Sequence, residues 1–135
     1  MRCILFIENG RVRLQSRWLN DVTRRFPELA VIFEQIGANQ TVLDGELIIP
    51  SDGKSDFYKL QKRWLLSTPR RIERASNETP AAFVAFDVLR AKGIWLLQMP
   101  LMEREEHLVE LVRDSNERIR STHIEEDGTT NSPKR

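Results

Sequence analysis

Apolar residues in this chain alternate with polar ones over short stretches and switch to helical spacing between them. Residues 3–7 (Cys-Ile-Leu-Phe-Ile) form a near-continuous apolar run. After Glu8-Asn9-Gly10, Val12 and Leu14 alternate with Arg11, Arg13 and Gln15. Asn-Gly between two such runs predicts a hairpin, because both turn residues tolerate positive φ. A first strand apolar on both faces belongs inside a sheet rather than at its edge. A polar connection over residues 16–23 leads to Phe26-Pro27-Glu28-Leu29. Proline suits a first helical turn, and Phe26, Leu29, Phe33 and Ile36 recur at helical spacing until Gly37 and Asn39 end the pattern.

Residues 41–49 are β-branched and apolar, broken only by Asp44-Gly45-Glu46, and Pro50-Ser51-Asp52-Gly53 reads as a turn. Asp56 can cap a helix carrying Phe57, Leu60, Trp64 and Leu65 on one side. Residues 68–80 read as a polar, basic connection, 83–89 as another buried strand, Ala91-Lys92-Gly93 as a turn and 94–97 as its short partner. Leu101, Leu108, Leu111 and Val112 fit an amphipathic helix whose exposed side carries Glu103, Arg104, Glu105 and Glu106. Residues 118–124 offer one more short strand. The tail 125–135 has nothing apolar to bury and is expected to be disordered, which leaves residues 1–124 as the domain. The pattern predicts an α+β fold of mostly antiparallel sheets with packed helices.

Composition narrows the function more than the fold. The 135 residues hold 21 Lys+Arg against 20 Asp+Glu, a net charge of +1, and 40% are hydrophobic. That suits one domain with a real core and excludes a strongly basic, histone-like nucleic-acid binder, though not a local basic face. The single cysteine, Cys3, excludes an intrachain disulfide. No apolar run approaches the roughly 18 residues of a membrane helix, and no signal peptide is evident, so a cytoplasmic protein outside the membrane is expected. A chain that opens directly on a central strand is expected to be cut at its front.

Three groups of residues could carry chemistry. Asp44 and Glu46 lie two apart in a strand and so project from one face of an apolar element. Buried, two like charges need a cation, an arginine or hydroxyl partners; at a strand end they simply reach water, and spacing alone leaves both readings open. Gly45 between them allows a close approach of backbone or ligand. On the strand over residues 83–89, alternation puts Phe86 with Val84 and Val88 and turns Asp87 the other way. Phe86 can stack on a planar ligand or serve as core. Arg2, Arg17 and Arg24 sit at predicted strand and loop ends, while Lys59, Lys62, Arg63, Arg70, Arg71 and Arg74 form a basic run. The run is either a solvated helix face or a phosphate-backbone contact. His107 and His123 lack Cys or His partners at metal-ligand spacing and read as surface residues. No P-loop, dinucleotide-binding or nucleophile-elbow pattern is present.

Taken in order, these segments resemble the nucleotidyltransferase (adenylation) domain of ATP-dependent DNA ligases, from Arg2 to about Gly128. The anchors are Ser16-Arg17 with Asp21 and Thr23 before Phe26-Pro27-Glu28-Leu29, then Leu43-Asp44-Gly45-Glu46-Leu47, then Asp56-Phe57 with Leu60-Gln61. Ala85-Phe86-Asp87-Val88-Leu89 and Pro100-Leu101 with Glu103-Arg104 complete the series. The resemblance implies a partial ATP-grasp-like fold and nick sealing through lysyl–AMP and DNA–adenylate intermediates, with ATP and Mg²⁺ as cofactors and nicked duplex DNA as partner. By the same resemblance Arg2 contacts the nucleotide, and Arg17 lies near the ribose and the nick phosphate. Glu46 binds the ribose or helps hold the metal, Phe86 stacks on adenine, and Arg17 meets DNA; Lys62 and Arg63 are expected to meet DNA from the basic run, read as a phosphate-backbone contact.

Two departures shape what is expected of the chain alone. The family's Lys-x-Asp-Gly segment would precede Arg2, where only Met1 stands, so the nucleophilic lysine is expected to be absent and no catalytic residue is assigned. Trp18-Leu19 stands where a small, Gly-containing turn is usual after Ser-Arg. The expectation is a ligase fragment that keeps part of its ATP pocket and is inactive by itself. The alternatives are a non-catalytic DNA-binding module or one half of a split ligase whose partner chain supplies the lysine.

Overall fold

The computed structural model describes residues 1–113 and 118–122. His123, the end of the last expected strand and the tail 125–135 lie outside the described residues. Strands β1 (Arg2–Glu8) and β2 (Arg11–Ser16) form the expected hairpin, with Asn9 at φ 52° and Gly10 at φ 75° in its turn. β1 pairs on its other side with β3 (Thr41–Ile48), so it does lie inside the sheet. β3 pairs with β6 (Ala82–Ala91), which in turn pairs with β7 (Ile94–Trp95). These pairs are antiparallel; β8 (Ile119–Ser121) adds to β6 in parallel, and β4 (Pro50–Ser51) pairs with β5 (Lys54–Ser55) as a separate ribbon.

Four α-helices are described: α1 (Ile32–Ile36), α2 (Phe57–Trp64), α3 (Pro69–Glu78) and α4 (Leu101–Leu111). Their inward side chains, among them Ile32, Leu60 and Leu108, join the strand residues Leu5, Leu14, Leu43, Leu47, Phe83 and Val88 in one core. That core lies on one face of the sheet, where two amphipathic layers bury their apolar sides against each other. The opposite face carries half-buried Ile4, Phe6, Val84 and Phe86. Of the candidate residues, Arg2, Glu46 and Phe86 stand there.

The elements depart from expectation in four places. Residues 68–80 hold α3 rather than a bare connection. Pro69 opens it at the first helical position, and Ile72 is its one buried side chain, too little for periodicity to register. The stretch after Phe26 is a 3₁₀ turn (Pro27–Val31) before α1, because the buried residues Phe26, Leu29 and Ile32 recur every three positions, the 3₁₀ period. On α2, Asp56 caps as expected by accepting from the Lys59 amide at 3.0 Å, yet Phe57 and Leu65 are exposed and only Leu60, Arg63 and part of Trp64 turn inward. Finally, Asp44 faces Asp87 while Gly45 faces Ala85, so Phe86 is an extra residue in β6. This bulge returns Val88 to the core instead of leaving it beside Phe86.

Candidate functional site

Three neighbouring strands bring the site together. Antiparallel register sets Arg2 of β1 opposite Glu46 of β3, and Glu46 opposite Val84 of β6. Side chains across from one another share a face, so Arg2, Asp44 and Glu46 all rise on the side away from the core. The Arg2 guanidinium grips Asp44 as a fork, Nε to Oδ1 at 3.0 Å and NH2 to Oδ2 at 2.9 Å. It also lies over the Phe86 ring, 5.4 Å from the centroid. Its hydrogen bond to Asp44, and then the charge of that carboxylate, raise the guanidinium's already high pKa, so Arg2 is a fixed cation. Glu46 is half-exposed and its carboxylate stands 3.5 Å from the Met1 amino nitrogen.

Gly45 shows why this stretch must contain glycine. A Cβ there would lie 2.2 Å from the Val84 carbonyl oxygen and within 2.8 Å of the Phe83 ring. The close approach is made by β6 itself, on the core side, and it leaves Asp44 and Glu46 aimed at the open face. Alternation predicts that Asp87 turns away from Phe86, but the bulge breaks that parity: Val88 takes the core side, and Asp87 stands across from Asp44. It accepts from Arg104 Nε on α4 at 3.0 Å and from the Val88 amide at 2.8 Å. Arg104 also reaches the Met99 carbonyl at 2.7 Å, so this pair ties α4 to the sheet. The hydrogen bond to Asp87 raises the pKa of Arg104.

Arg2, Glu46 and Phe86 are thus brought together, with Asp44 as the partner that orients Arg2. Sequence spacing exposes the two carboxylates but not their division of labour, because the Arg2–Asp44 match depends on a strand pairing 42 positions apart. Arg17 is exposed just past the end of β2, at the Arg2 end of the sheet, with its guanidinium 5.1 Å from the Trp18 ring centroid. Lys62 is exposed on α2, within the helical layer and off this face, its Nζ 5.2 Å from the Tyr58 ring centroid.

Arg63 overturns its expected role as a DNA contact. It is 2% exposed, and its guanidinium is spent inside the protein on Glu28 and on the carbonyls of Arg25 and Thr79. A basic run read along the sequence does not show which member turns inward. Glu28, 35 positions away, selects Arg63.

A magnesium ion, if bound here, would need oxygen donors. Asp44 is occupied by Arg2, which leaves Glu46 as the available carboxylate. No group of three or more His, Cys, Asp or Glu side chains lies together among the described residues. Such a sparse set fits Mg²⁺, which takes one or two carboxylates and completes its shell with phosphate oxygens and water. No helix among the described residues is long and apolar enough to cross a membrane.

Comparison with known proteins agrees with this architecture. Residues 1–132 match the model of the ATP dependent DNA ligase domain. DNA ligase C2 of Mycolicibacterium smegmatis and DNA ligase C of Mycobacterium tuberculosis are each 36% identical over 114 residues, 84% of this chain and 32% of theirs. Among solved structures, a mycobacterial DNA ligase D complexed with ATP and MES superposes with a TM-score of 0.70 at 28% identity, over 88% of this chain and 36% of that one. The ligase domain of Mycobacterium tuberculosis LigD gives 0.69 at the same identity. The chain spans about a third of the length of these two curated relatives.

Proposed function

The chain belongs to the ATP-dependent DNA ligase domain family and corresponds to part of its nucleotidyltransferase domain; on that footing we propose that the open face of β1, β3 and β6 binds an adenine nucleotide. One observation carries the reading: a fixed cation, a half-exposed carboxylate and an aromatic ring from three strands converge on the sheet face away from the core. Phe86 supplies the stacking surface for the base. Arg2, held by Asp44, keeps guanidinium N–H groups for phosphate or ribose oxygens, and Glu46 takes the ribose hydroxyls or the cation. When bound, Mg²⁺ neutralises phosphate charge. The DNA partner is a nicked duplex, approached from the Arg17 end of the sheet.

The covalent step of such chemistry needs an amine nucleophile. Among the described residues the lysines are Lys54 on β5, Lys59 and Lys62 on α2 and Lys92 in the turn after β6. None lies on the three strands of the site. The described residues therefore hold nucleotide without supplying the amine for a lysyl–AMP, which would have to come from outside them.

Calorimetric titration of the full chain with ATP and Mg²⁺ should detect binding, and Phe86→Ala should weaken it by about tenfold or more. No binding by the unaltered chain overturns the proposed site. Incubation with radiolabelled ATP followed by a denaturing gel should give no labelled protein, and a labelled band at the chain's mass overturns the non-covalent part.

A further inference from the structure

The turn that follows β2 holds a strained and exposed residue in a tightly bonded frame. It is pinned at its base: the Ser16 amide donates to the Asn20 carbonyl at 2.9 Å, the Leu19 amide to the Ser16 carbonyl at 2.9 Å, and the Asn20 amide to the Ser16 hydroxyl at 3.3 Å. Ser16 itself is buried. Within this frame Leu19 adopts φ 67°, a left-handed conformation that suits glycine and strains a leucine. The strain is not offset by burial, since Trp18 is 74% exposed and Leu19 76% exposed. Folding alone favours a small or polar residue at both positions. Strain that the fold leaves uncompensated, on a tightly held turn, points to a contact outside the chain.

The surroundings say what kind of contact. Arg17 lies beside the Trp18 ring, and the charges of Arg13 and Arg24 both act on the nearby Asp21 carboxyl, although Arg13 also pairs with Glu8 at 3.9 Å. The nearest acid, Asp21, is bonded to the Thr23 hydroxyl at 2.6 Å and to its amide at 3.0 Å. Those bonds, the hydroxyl's first, hold the Asp21 carboxyl below its ordinary pKa. Ser16 faces Cys3 across the hairpin, so the turn adjoins Arg2, which faces Glu46. One exposed ring and one leucine are too little surface for a stable protein interface. A ring coupled to a guanidinium amid further cations fits a nucleic-acid strand, which offers flat bases and anionic phosphates together. In a continuous duplex the base faces are covered by their neighbours. An end or a gap leaves one open, and at a nick, where one strand is no longer continuous, the stack parts most easily.

We propose that Trp18 and Leu19 form a stacking wedge that recognises a break in duplex DNA, with Arg17 on the flanking phosphate. The proposal rests on the DNA-ligase reading above and adds a residue pair that selects the broken site. Trp18 binds through its ring and carries no charge, so it contributes affinity without adding to the salt dependence, whereas Arg17 contributes to that dependence.

Fluorescence anisotropy with labelled continuous, nicked and one-nucleotide-gapped duplexes tests this on the full chain. The unaltered protein should prefer the nicked and gapped forms. Trp18→Ala should weaken nicked binding by about tenfold, leave continuous duplex within twofold and keep the slope of log affinity against log salt. Trp18→Phe should restore most of the loss, and Arg17→Ala should flatten the salt slope. The wedge is overturned if Trp18→Ala lowers nicked and continuous binding alike, or leaves nicked binding unchanged. Failure of the unaltered chain to bind nicked duplex at low salt overturns it too, as does its capture by phosphatidylglycerol vesicles in preference to DNA. ATP titration of the unaltered chain separates the two readings. Intact ATP binding with no preference for nicked over continuous duplex defeats the wedge alone, whereas absence of ATP binding defeats the nucleotide site.

Discussion

Two arginine–carboxylate forks in this molecule have nearly the same local chemistry and opposite uses. Arg63 grips Glu28 at 2.7 and 3.1 Å and lies 4.8 Å from the Phe26 ring centroid. Arg2 grips Asp44 at 3.0 and 2.9 Å and lies 5.4 Å from that of Phe86. The side chains of the first pair are 2% and 9% exposed, those of the second 57% and 20%. Around the first, the Arg25 and Thr79 carbonyls and the Ala81 amide absorb almost every remaining polar atom, leaving only Arg63 Nε without a partner. The buried fork therefore joins the 3₁₀ turn after Phe26, α2 and the start of β6, with nothing left over for a ligand. The open fork orients a cation within reach of solvent. The same fork is structural or functional according to what surrounds it.

The largest expected effect breaks the buried fork. Arg63→Ala leaves the Glu28 carboxylate enclosed, with the Ala81 amide as its remaining partner, and the carbonyls of Arg25 and Thr79 without a donor. Removing one partner of a buried pair costs about 3–5 kcal/mol, a large share of the roughly 5–15 kcal/mol that holds a domain folded. Urea unfolding followed by circular dichroism should show that loss at pH 7. A loss below about 1 kcal/mol would mean that burial does not distinguish the two forks.

The next effect sharpens the contrast between the two faces of β1. Cys3 follows Arg2 directly yet points into the core, and burial pushes its thiol up from 9.0 to about 11. The thiolate forms readily only in the unfolded chain, so between these values the unfolded state has lost a proton that the folded state keeps. Stability from this source is whole below pH 9 and drains away as pH rises toward 11. At about 1.36 kcal/mol per pKa unit, the full loss is of order 2–3 kcal/mol. Tyrosine and lysine titrate nearby, so the signal is the difference between the unaltered chain and Cys3→Ala. Urea midpoints at pH 8 and pH 10.5 should fall further in the former, and parallel falls would place the thiol in contact with water.

How much of this was legible in the sequence follows the range of each interaction. β1, β2 and their Asn9-Gly10 turn are local, and alternation with turn chemistry suffices to predict them. The α4 helix and the Asp56 cap are legible for the same reason. The shared face of Glu46 and Phe86 is prefigured only by the family resemblance, since alternation alone leaves Phe86 as either core or ligand surface. The bulge at Phe86 is not, because it exists only relative to the register of β3. Nor is α3, whose single buried residue, Ile72, gives no period to read. Arg63 fails for the deepest reason: its place in a basic run is local, while its burial is decided by Glu28.

The smallest effect on stability falls on the open fork, and there function should move instead. Arg2→Ala removes a pair whose arginine is mostly in water, where solvent screening and side-chain entropy leave at most about 1 kcal/mol of net stabilisation. Asp44, once released, is not stranded, because it stands on the uncovered face and can hydrate. ATP affinity, by contrast, should fall about tenfold or more, since a charge-assisted contact to the nucleotide is lost. Arg2→Lys is the finer probe. Its ammonium keeps the charge but cannot make the planar two-point grip on Asp44, so the cation is no longer held over Phe86. Its ATP affinity should lie between those of the unaltered chain and Arg2→Ala, with urea unfolding almost unchanged in both variants. Unfolding of Arg2→Ala as severe as that of Arg63→Ala would erase the distinction between the forks, and unchanged ATP affinity would remove Arg2 from the nucleotide site.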